Sequence, residues 1–278
     1  MSEMSLRQTL NSLFYEHPIR VESSDRYAGP ILIGHRGVSH EYPENTVPAF
    51  AHALKLGARM LELDVRLSKD NEVVVIHDPT VERTASKTKK LTKRCAGAVN
   101  SFTLRELQAM GFPALKDVFL NFIEATISVE IKDQSWILCK KVVALIKRFH
   151  REDRTTIELI ALGDKLAHRL RKFAPELHSG HTTREIIRFV TLSKFRATRL
   201  FHKRGGLFEV PIKRGRLKIV TPAFVRAAHK KGIRVFVWTV NDAATIDYLC
   251  KLGVDGIYTD DLATAKQAVQ AFLQGARA

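Results

Sequence analysis

The stretch LELDVRLSKDNEVVVIHDPT, from Leu61 to Thr80, decides the fold because it opens on a strict alternation of apolar and charged residues. In LELDVR the leucines and the valine lie on one side of a strand and the charged residues on the other. Glu62 and Asp64 are two residues apart, so they point the same way with Cα atoms about 6.5 Å apart. Two such carboxylates are costly to bury without protons, basic partners or a cation.

Strand-like and helix-like segments alternate along the rest of the chain. ILIG, at Ile31–Gly34, predicts a strand, and NTVPAFAHALKLG after it predicts a helix with Asn45 as its N-cap. ISVEIKD, TTIELIAL, LHSG, IRVFVWTV and DGIYTD predict further strands, each followed by a helical segment. Such units form parallel sheets, and about eight of them in roughly 250 residues fit a (β/α)8 TIM barrel better than an open α/β sheet.

The chain is predicted to be a single domain over residues 1–278, because no low-complexity run or Gly/Ser/Pro-rich linker divides it. Residues 79–113 read as a small insertion after the second strand, and residues 1–29 as an N-terminal extension. The first residues lack the apolar centre of a secretion signal, and no apolar run reaches the roughly 18 residues of a spanning helix. Three scattered cysteines favour a reducing compartment, so we expect a soluble, cytoplasmic protein.

The charge balance is strongly basic, with 45 Lys and Arg against 29 Asp and Glu, a net charge of +16. Such a charge favours polyanionic partners: nucleic acid, an anionic membrane surface or phosphorylated small molecules. The sequence has no basic motif interleaved with aromatic residues and no nucleic-acid-binding signature. Nucleic acid is therefore not expected as a partner.

A second acidic strand suggests how the carboxylates of LELDVR are neutralised. ISVEIKD places Ser128, Glu130 and Lys132 on one face. If the two strands are neighbours, about 4.8 Å apart, Glu62, Asp64 and Glu130 converge with Lys132 beside them. Three carboxylates suit Ca²⁺ or Mg²⁺ rather than zinc. The alternative is an antiparallel sheet with one solvent face, and these two strands alone do not decide between them.

Basic residues follow the strands at positions where barrel enzymes carry their chemistry. IGHRG places His35 and Arg36 after the first strand. VIHDP places His77 at the end of EVVVIHD, a second extended segment that follows LELDVR after the turn SKDN. Histidine moves protons near neutral pH, whereas Arg36 and Lys132 can hold a phosphate. The set predicts metal-assisted phosphoryl-ester chemistry, with the metal as Lewis acid.

Seven motifs then occur in order: GHRG, PENT, ELD, VVIHDPT, VEIK, VWTVN and GVDGIYTD. Together they resemble the glycerophosphodiester phosphodiesterase family over roughly Ile31 to Leu262. The resemblance implies a TIM barrel that uses a divalent cation, Ca²⁺ or Mg²⁺, to hydrolyse glycerophosphodiesters to glycerol 3-phosphate and an alcohol. It also implies a role for each matched residue: His35 and His77 as the acid/base pair, Glu62, Asp64 and Glu130 as metal ligands, Arg36 and Lys132 as phosphate contacts, and Trp238 as an apolar wall near the glycerol.

Other polar residues in these motifs have two interpretations each. Glu44 either positions the first helix or touches substrate, and Asp78 either orients His77 or begins a turn. Asn241 either caps the following helix or contacts the ligand. Asp260 closes a network at the last strand without a catalytic role.

Three segments depart from the family pattern. The insertion is shorter than is usual for the family, which predicts an open active-site mouth. It also carries five basic residues: Lys87, Lys89, Lys90, Lys93 and Arg94. The residues 160–162, Ile-Ala-Leu, replace an expected Ser-Phe pair and make one wall apolar. Residues 181–206 combine apolar and basic residues, and we expect them at the active-site face. They are either a barrel helix with a solvated basic face or an element in peripheral contact with anionic membrane.

Three functions follow from these residues. The first is a metal-dependent phosphodiesterase that acts on soluble glycerophosphodiesters. The second is a lysophospholipase D that acts on lysophospholipids at a membrane surface. The third is a non-catalytic basic barrel that binds anionic lipid or nucleic acid, and the acidic cluster argues against it. The sequence predicts no oligomeric state and does not assign which histidine is acid and which is base.

Overall fold

The computed structural model describes residues 29–85 and 96–276. The strands are β1 (Ile31–Gly34), β2 (Met60–Leu67), β3 (Val73–Val75), β4 (Ile127–Ile131), β5 (Thr155–Glu158), β6 (His178–Ser179), β7 (Leu207–Pro211), β8 (Lys213–Arg214), β9 (Leu217–Lys218), β10 (Arg234–Trp238) and β11 (Gly256–Thr259). The helices are α1 (Val47–Leu56), α2 (Glu82–Ala85), α3 (Leu104–Ala109), α4 (Leu115–Asn121), α5 (Trp136–Arg148), α6 (Asp164–Phe173), α7 (Thr183–Lys194), α8 (Pro222–Lys230), α9 (Ala243–Leu252) and α10 (Leu262–Gly275).

Eight parallel strands form a closed ring in the order β1, β2, β4, β5, β6, β7, β10 and β11, and β11 pairs with β1 again. A parallel bridge between Gly180 and Leu207 joins β6 to β7 and completes the ring. The predicted (β/α)8 barrel is therefore confirmed, and the alternative of an antiparallel sheet with one solvent face is wrong. Strand β7, in GLFEVP, was not among the strands predicted from the sequence.

The alternation in β2 separates two environments. Leu61, Leu63 and Val65 are fully buried in the large core between the barrel and its helices. Met60, on the opposite side of β2, belongs to a small apolar cluster inside the barrel. Glu62 and Asp64 follow Met60 at the period of two, so they also point inward, above that apolar cluster.

Helix α1 begins one residue later than the sequence predicted. Thr46 is its N-cap, with a side-chain oxygen that accepts a hydrogen bond from the Ala49 amide, and Gly57 ends it at a φ of 98°. The prediction of Asn45 as the cap was wrong. Asn45 is buried with a φ of 59°, a left-handed conformation that asparagine tolerates better than most residues. Its side-chain amide instead donates a hydrogen bond to Asp64.

The segment predicted as an insertion, residues 79–113, packs around β3, which pairs antiparallel with β2. A satellite core lies under it, formed by Val74, Ile76, Val81, Ala85, Val99, Leu104, Leu107, Phe112 and Ala114. The five basic residues of the insertion, between Lys87 and Arg94, lie outside the described residues. So does nearly all of the predicted N-terminal extension 1–29. That the chain is one domain stays a prediction.

The segment 181–206 runs from one end of the barrel to the other. Helix α7 ends at Lys194, and the Lys203 ammonium donates to the Gly232 carbonyl, near the start of β10. In a β/α unit the helix returns antiparallel to its strand, so only the first turns of α7 lie at the carboxyl ends of the strands. The expectation that the whole segment lies at the active-site face was wrong for its second half. Membrane contact stays a prediction.

None of the helices within residues 29–85 and 96–276 is long and apolar enough to cross a bilayer.

Phe189 on α7 gives a test of the packing between helix and barrel. Its fully buried ring lies 4.7 Å from the ring of Phe208 and 4.9 Å from that of Phe201, measured between centroids. Phe189→Ala is expected to lower the free energy of unfolding by about 3–5 kcal/mol, measured by urea denaturation. Phe195, 78% exposed on the same helical segment, is the matched control, and Phe195→Ala should change it by less than about 0.5 kcal/mol. Equal losses in the two variants contradict this packing.

Candidate active site

The acidic residues of β2 and β4 meet inside the barrel as the sequence predicted. In the parallel register Asp64 lies beside Glu130, and Glu62 lies beside Ser128. Glu62 is 2% exposed and Asp64 is 0% exposed. A buried polar cluster therefore stands at the carboxyl half of two neighbouring strands, where TIM barrels place their active sites.

The tightest group of carboxylates adds a residue that was not predicted from the sequence. One oxygen from each of Glu62, Glu130 and Glu158 lies within 4.8 Å of the other two. Glu158 ends β5 directly beside Glu130 in the register. The signal was present in TTIELIAL, because Glu158 follows Thr156 at the strand period, but a single charged residue in an apolar run is a weak indication of a site.

A fourth buried carboxyl group, Glu209, lies on the strand that was not predicted from the sequence. The Tyr258 hydroxyl lies 2.9 Å from Glu158 Oε1 and 3.1 Å from Glu209 Oε1, so this hydroxyl links the two carboxyl groups. Glu209 Oε2 is buried and has no hydrogen-bond partner within residues 29–85 and 96–276. The barrel interior thus holds more carboxylate oxygen than its own hydrogen bonds satisfy.

Burial raises the pKa of these acids because each charged carboxylate loses hydration. Burial, then the charge of Asp64, raises the pKa of Glu62 well above its ordinary range. Burial and the charge of Glu130 raise the pKa of Glu158 to about 7. A divalent cation removes this cost without protonation, and Ca²⁺ binds oxygen ligands at about 2.3–2.6 Å, so oxygens up to about 5 Å apart can share one ion. The cluster therefore fits a hard divalent cation.

Asp64 faces the basic residues rather than the tightest acidic group. Asn45 Nδ2 donates to Asp64 Oδ2 at 2.8 Å, and Arg36 Nε lies 3.2 Å from the same oxygen. Lys132 Nζ lies 3.0 Å from Oδ1 and forms an ion pair with it. Burial would raise the pKa of Asp64, but Lys132 and Arg36 hold it below its ordinary value. Its role as a metal ligand stays a prediction.

Arg36 and Lys132 carry the positive charge of the site. The Arg36 amide donates to Glu62 Oε2 at 2.8 Å, and Lys132 Nζ donates to Glu130 Oε2 at 2.6 Å. Burial would lower the pKa of Lys132, but Asp64 and Glu130 raise it. Burial would likewise lower the pKa of Arg36, which nearby carboxylates, Asp64 foremost, raise instead. Both side chains therefore stay cationic beside the acidic cluster.

His35 is held by Asp260, the residue expected to close a network at the last strand. His35 Nδ1 lies 2.8 Å from Asp260 Oδ1, and the other ring nitrogen lies 4.0 Å from Glu62 Oε2. Asn241 Nδ2 donates to Asp260 Oδ2 at 3.0 Å. The alternative of Asn241 as a helix cap was wrong, because Asp242 caps α9. Asp260 thus orients the ring and leaves Nε2 facing the acidic cluster.

His77 reaches the site by a different route from the one expected. It does not follow a strand of the barrel; it follows β3, whose antiparallel pairing with β2 carries the chain back past Asp64. The Ile76 amide donates to the Asp64 carbonyl at 2.9 Å, which places His77 next to the acidic strand. His77 Nδ1 lies 2.6 Å from Asp78 Oδ1. This contact agrees with the interpretation that Asp78 orients His77.

Arg83, which was not predicted from the sequence, connects the surroundings of His77 with those of Arg36. Its guanidinium donates to both Glu44 oxygens, at 2.6 and 2.7 Å, and also contacts Asp78. Glu44 in turn accepts from Arg36 Nη1 at 3.0 Å. Glu44 therefore positions basic residues on both sides of the site.

Trp238 lies at the carboxyl end of β10 and packs on the apolar cluster inside the barrel. Its indole Nε1 is buried, and no residue in the described part of the chain accepts a hydrogen bond from it. An apolar wall beside a free donor is compatible with a contact to a substrate hydroxyl. Its role in substrate binding stays a prediction.

Sequence comparisons find similar proteins over most of the chain. A sequence profile described as the Glycerophosphoryl diester phosphodiesterase family matches residues 35–264. The chain is 31% identical over 249 residues to a glycerophosphodiester phosphodiesterase of Caldanaerobacter subterraneus subsp. tengcongensis, across 83% of this chain and 94% of that one. It is 28% identical to the human protein named lysophospholipase D GDPD1, across 82% of each chain.

Solved structures include proteins with the same fold. A solved glycerophosphodiester phosphodiesterase from Thermotoga maritima superposes with a TM-score of 0.64 at 28% sequence identity, covering 86% of this chain and 97% of that one.

Glu158 gives a test of the buried charge. Its raised folded-state pKa means that it contributes stability that is present below about pH 4.5 and is lost as the pH rises through about 7. In chelator at pH 8, Glu158→Gln should therefore raise the free energy of unfolding by on the order of 1–3 kcal/mol, measured by urea denaturation. With Ca²⁺ or Mg²⁺ added, the unmodified protein should gain more stability than the variant.

The half-exposed Glu41 is the matched control, since Glu41→Gln removes a carboxylate outside the barrel. It should show neither effect. A variant Glu158→Gln that is less stable than the unmodified protein in chelator contradicts the assignment of uncompensated charge to the buried carboxylates.

Proposed function

Because this chain belongs to the glycerophosphoryl diester phosphodiesterase family, we propose that it hydrolyses a glycerophosphodiester to glycerol 3-phosphate and an alcohol at the carboxyl end of its barrel. One observation carries the proposal: buried carboxylates inside the barrel adjoin two histidines, each of which is bound to its own carboxylate. The family relationship and the similarity to a curated glycerophosphodiester phosphodiesterase support it.

The proposed ligands of the divalent cation are Glu62, Asp64 and Glu130, with Glu158 as a fourth carboxylate beside them. A bound Ca²⁺ or Mg²⁺ supplies Lewis-acid polarisation of a phosphoryl oxygen. The raised pKa of Glu62 supports this assignment, because burial and the neighbouring carboxylates outweigh the stabilisation that Arg36 gives its charged form. These carboxylates also fix the two cationic side chains of the site.

Arg36 and Lys132 are the proposed phosphate contacts. Each is paired with carboxylates that keep it charged, and neither is fully buried, so each retains donors for a phosphoryl oxygen. Trp238 is the proposed apolar wall beside the glycerol. Together these side chains hold the diester so that its phosphorus faces the histidines.

His35 and His77 are the proposed proton-transfer residues. With Nδ1 of each ring bound to a carboxylate, Nε2 is the atom available for exchange with substrate. One histidine takes the proton of the attacking hydroxyl, from water or from the glycerol itself. The other gives a proton to the oxygen of the leaving alcohol. Asp260 and Asp78 orient the rings and balance the positive charge that each ring acquires.

Two substitutions test these roles. His35→Asn and His77→Asn should each lower kcat for glycerophosphocholine by about 10²–10⁴-fold, because each removes one general acid or base. The measurement is glycerol 3-phosphate release with Ca²⁺ or Mg²⁺ and again with chelator, which should abolish turnover in the unmodified protein. His168, exposed on α6, is the control, and His168→Asn should keep full activity. Activity that survives either substitution above, or survives chelation, contradicts the mechanism.

A further inference from the structure

A short β-hairpin stands at the carboxyl end of strand β7, at the same end of the barrel as the proposed active site. Strands β8 and β9 form it, and Lys213 pairs with Lys218 in their antiparallel register. The hairpin begins two residues after Pro211, which lies beside Trp238 in the register of β7 and β10. The hairpin therefore rises from the rim of the site, next to the proposed wall for the glycerol.

The hairpin has a defined shape. Gly215 is the first of its two loop residues, and its φ of 59° is the conformation that a type II′ turn requires there. At the base of the hairpin, the Ile212 carbonyl accepts hydrogen bonds from the Ile219 and Val220 amides at 2.9 and 3.2 Å. All six residues from 213 to 218 are exposed. The hairpin thus projects into solvent from a fixed base.

The hairpin is strongly basic, because four of its six residues are cationic: Lys213, Arg214, Arg216 and Lys218. No Asp or Glu occurs in the sequence between Glu209 and Asp242. Within the described part of the chain, no carboxylate forms an ion pair with any of the four cations. Lys218 instead lies over the Tyr248 ring, 4.6 Å from its centroid. The described residues therefore leave the charge of the hairpin unneutralised.

This arrangement costs the hairpin stability. Lys213 and Lys218 face each other across the two strands, and like charges in directly opposite positions are destabilising. A surface of negative charge placed against the hairpin would relieve that repulsion. The charge pattern therefore fits an anionic partner that covers several cations at once.

An exposed apolar residue among these cations indicates which anionic partner fits. Leu217, opposite Arg214 in the register, is 41% exposed. A bilayer offers apolar contact to such a side chain just below the layer of lipid phosphates that binds the bases. A soluble polyanion offers Leu217 no such contact. The combination of exposed bases with an exposed leucine therefore favours an anionic lipid surface.

The neighbouring loop carries the same combination. Strands β6 and β7 are adjacent in the barrel, so the first turns of α7, which follow β6, lie at the same end as the hairpin. These turns expose the basic residue Arg184 and the aliphatic residue Ile187. Arg184 Nε lies 3.7 Å from Asp164 Oδ2. The hairpin thus belongs to a wider basic and apolar part of this face.

We propose that the β8–β9 hairpin docks the protein on an anionic lipid bilayer, with Leu217 at the boundary of headgroups and acyl chains and with Arg214 and Arg216 on lipid phosphates. The open end of the barrel then faces the bilayer. The second half of residues 181–206 lies at the other end of the barrel and takes no part. The inference goes beyond the proposed function, because no hairpin residue belongs to the proposed catalytic or binding groups.

The test measures partition of the full chain onto vesicles of equal parts phosphatidylcholine and phosphatidylglycerol, by sedimentation at fixed ionic strength. Arg214→Glu combined with Arg216→Glu should lower the partition coefficient about tenfold or more, because both bases meet the lipid phosphates. Lys194→Glu combined with Arg196→Glu is the matched control, with the same change of net charge at exposed positions at the end of α7. It should lower partition by less than about twofold. Equal losses in the two double variants overturn the inference.

Leu217→Ala distinguishes a bilayer from a soluble polyanion. It should lower partition onto the anionic vesicles about threefold or more and leave retention on immobilised heparin unchanged, because only the bilayer contacts the leucine. Leu200→Ala, at a residue that is 56% exposed beyond the end of α7, is the control and should change neither measurement. Unchanged vesicle binding in Leu217→Ala overturns the inference in favour of a soluble polyanion.

Hydrolysis of glycerophosphocholine without vesicles separates docking from catalysis. Every variant should keep the turnover of the unmodified protein within about twofold, since the hairpin does not touch the proposed catalytic groups. A parallel loss of turnover and vesicle binding in Arg214→Glu with Arg216→Glu overturns the inference, because the hairpin then supports the site or the fold. An unmodified protein that binds anionic vesicles no better than pure phosphatidylcholine also overturns it, and leaves the proposed function intact.

Discussion

The barrel buries more carboxylate than its own side chains neutralise, and the rest of the site is arranged around that excess. Glu62, Glu130 and Glu158 converge to within 4.8 Å, and Glu209 shares the Tyr258 hydroxyl with Glu158. Burial of like charges in a low dielectric is costly, so these groups must bind protons or a cation. The pKa of Glu158, raised to about 7, shows that protonation is one solution at neutral pH. A divalent cation is the other, and it is the one that phosphoryl chemistry can use.

Rigid elements fix the groups that surround this excess charge. The β2–β4 register sets Asp64 beside Glu130, and Lys132 extends from the same strand toward both. His35 follows β1 and is held by Asp260 after β11, the strand that pairs with β1. Since these residues lie at or directly after strands rather than in long loops, the geometry needed for proton transfer exists before substrate binds.

The sequence predicted those parts of the site that come from a repeating pattern or an ordered motif. The period of two in LELDVR and ISVEIKD predicted that Glu62, Asp64 and Glu130 share the inward face of two strands. The register places Asp64 beside Glu130, and Glu62 and Glu130 lie in one acidic group. Glu209 was missed because its strand is a short apolar run that carries no clear period. Asn45 was misassigned because asparagine suits both a helix cap and a left-handed turn, and only the contact with Asp64 decides between them. Contacts of that kind join distant parts of the chain and leave no local pattern.

Anomalous scattering from crystals grown with Mn²⁺ would show whether the buried carboxylates hold a cation. Mn²⁺ prefers the same carboxylate oxygens as Mg²⁺ and Ca²⁺. We expect one strong anomalous peak inside the carboxyl end of the barrel, with oxygens of Glu62, Asp64 and Glu130 within about 2.6 Å of it. A map without a peak there, from crystals that bind Mn²⁺ elsewhere on the chain, contradicts a metal site among these residues.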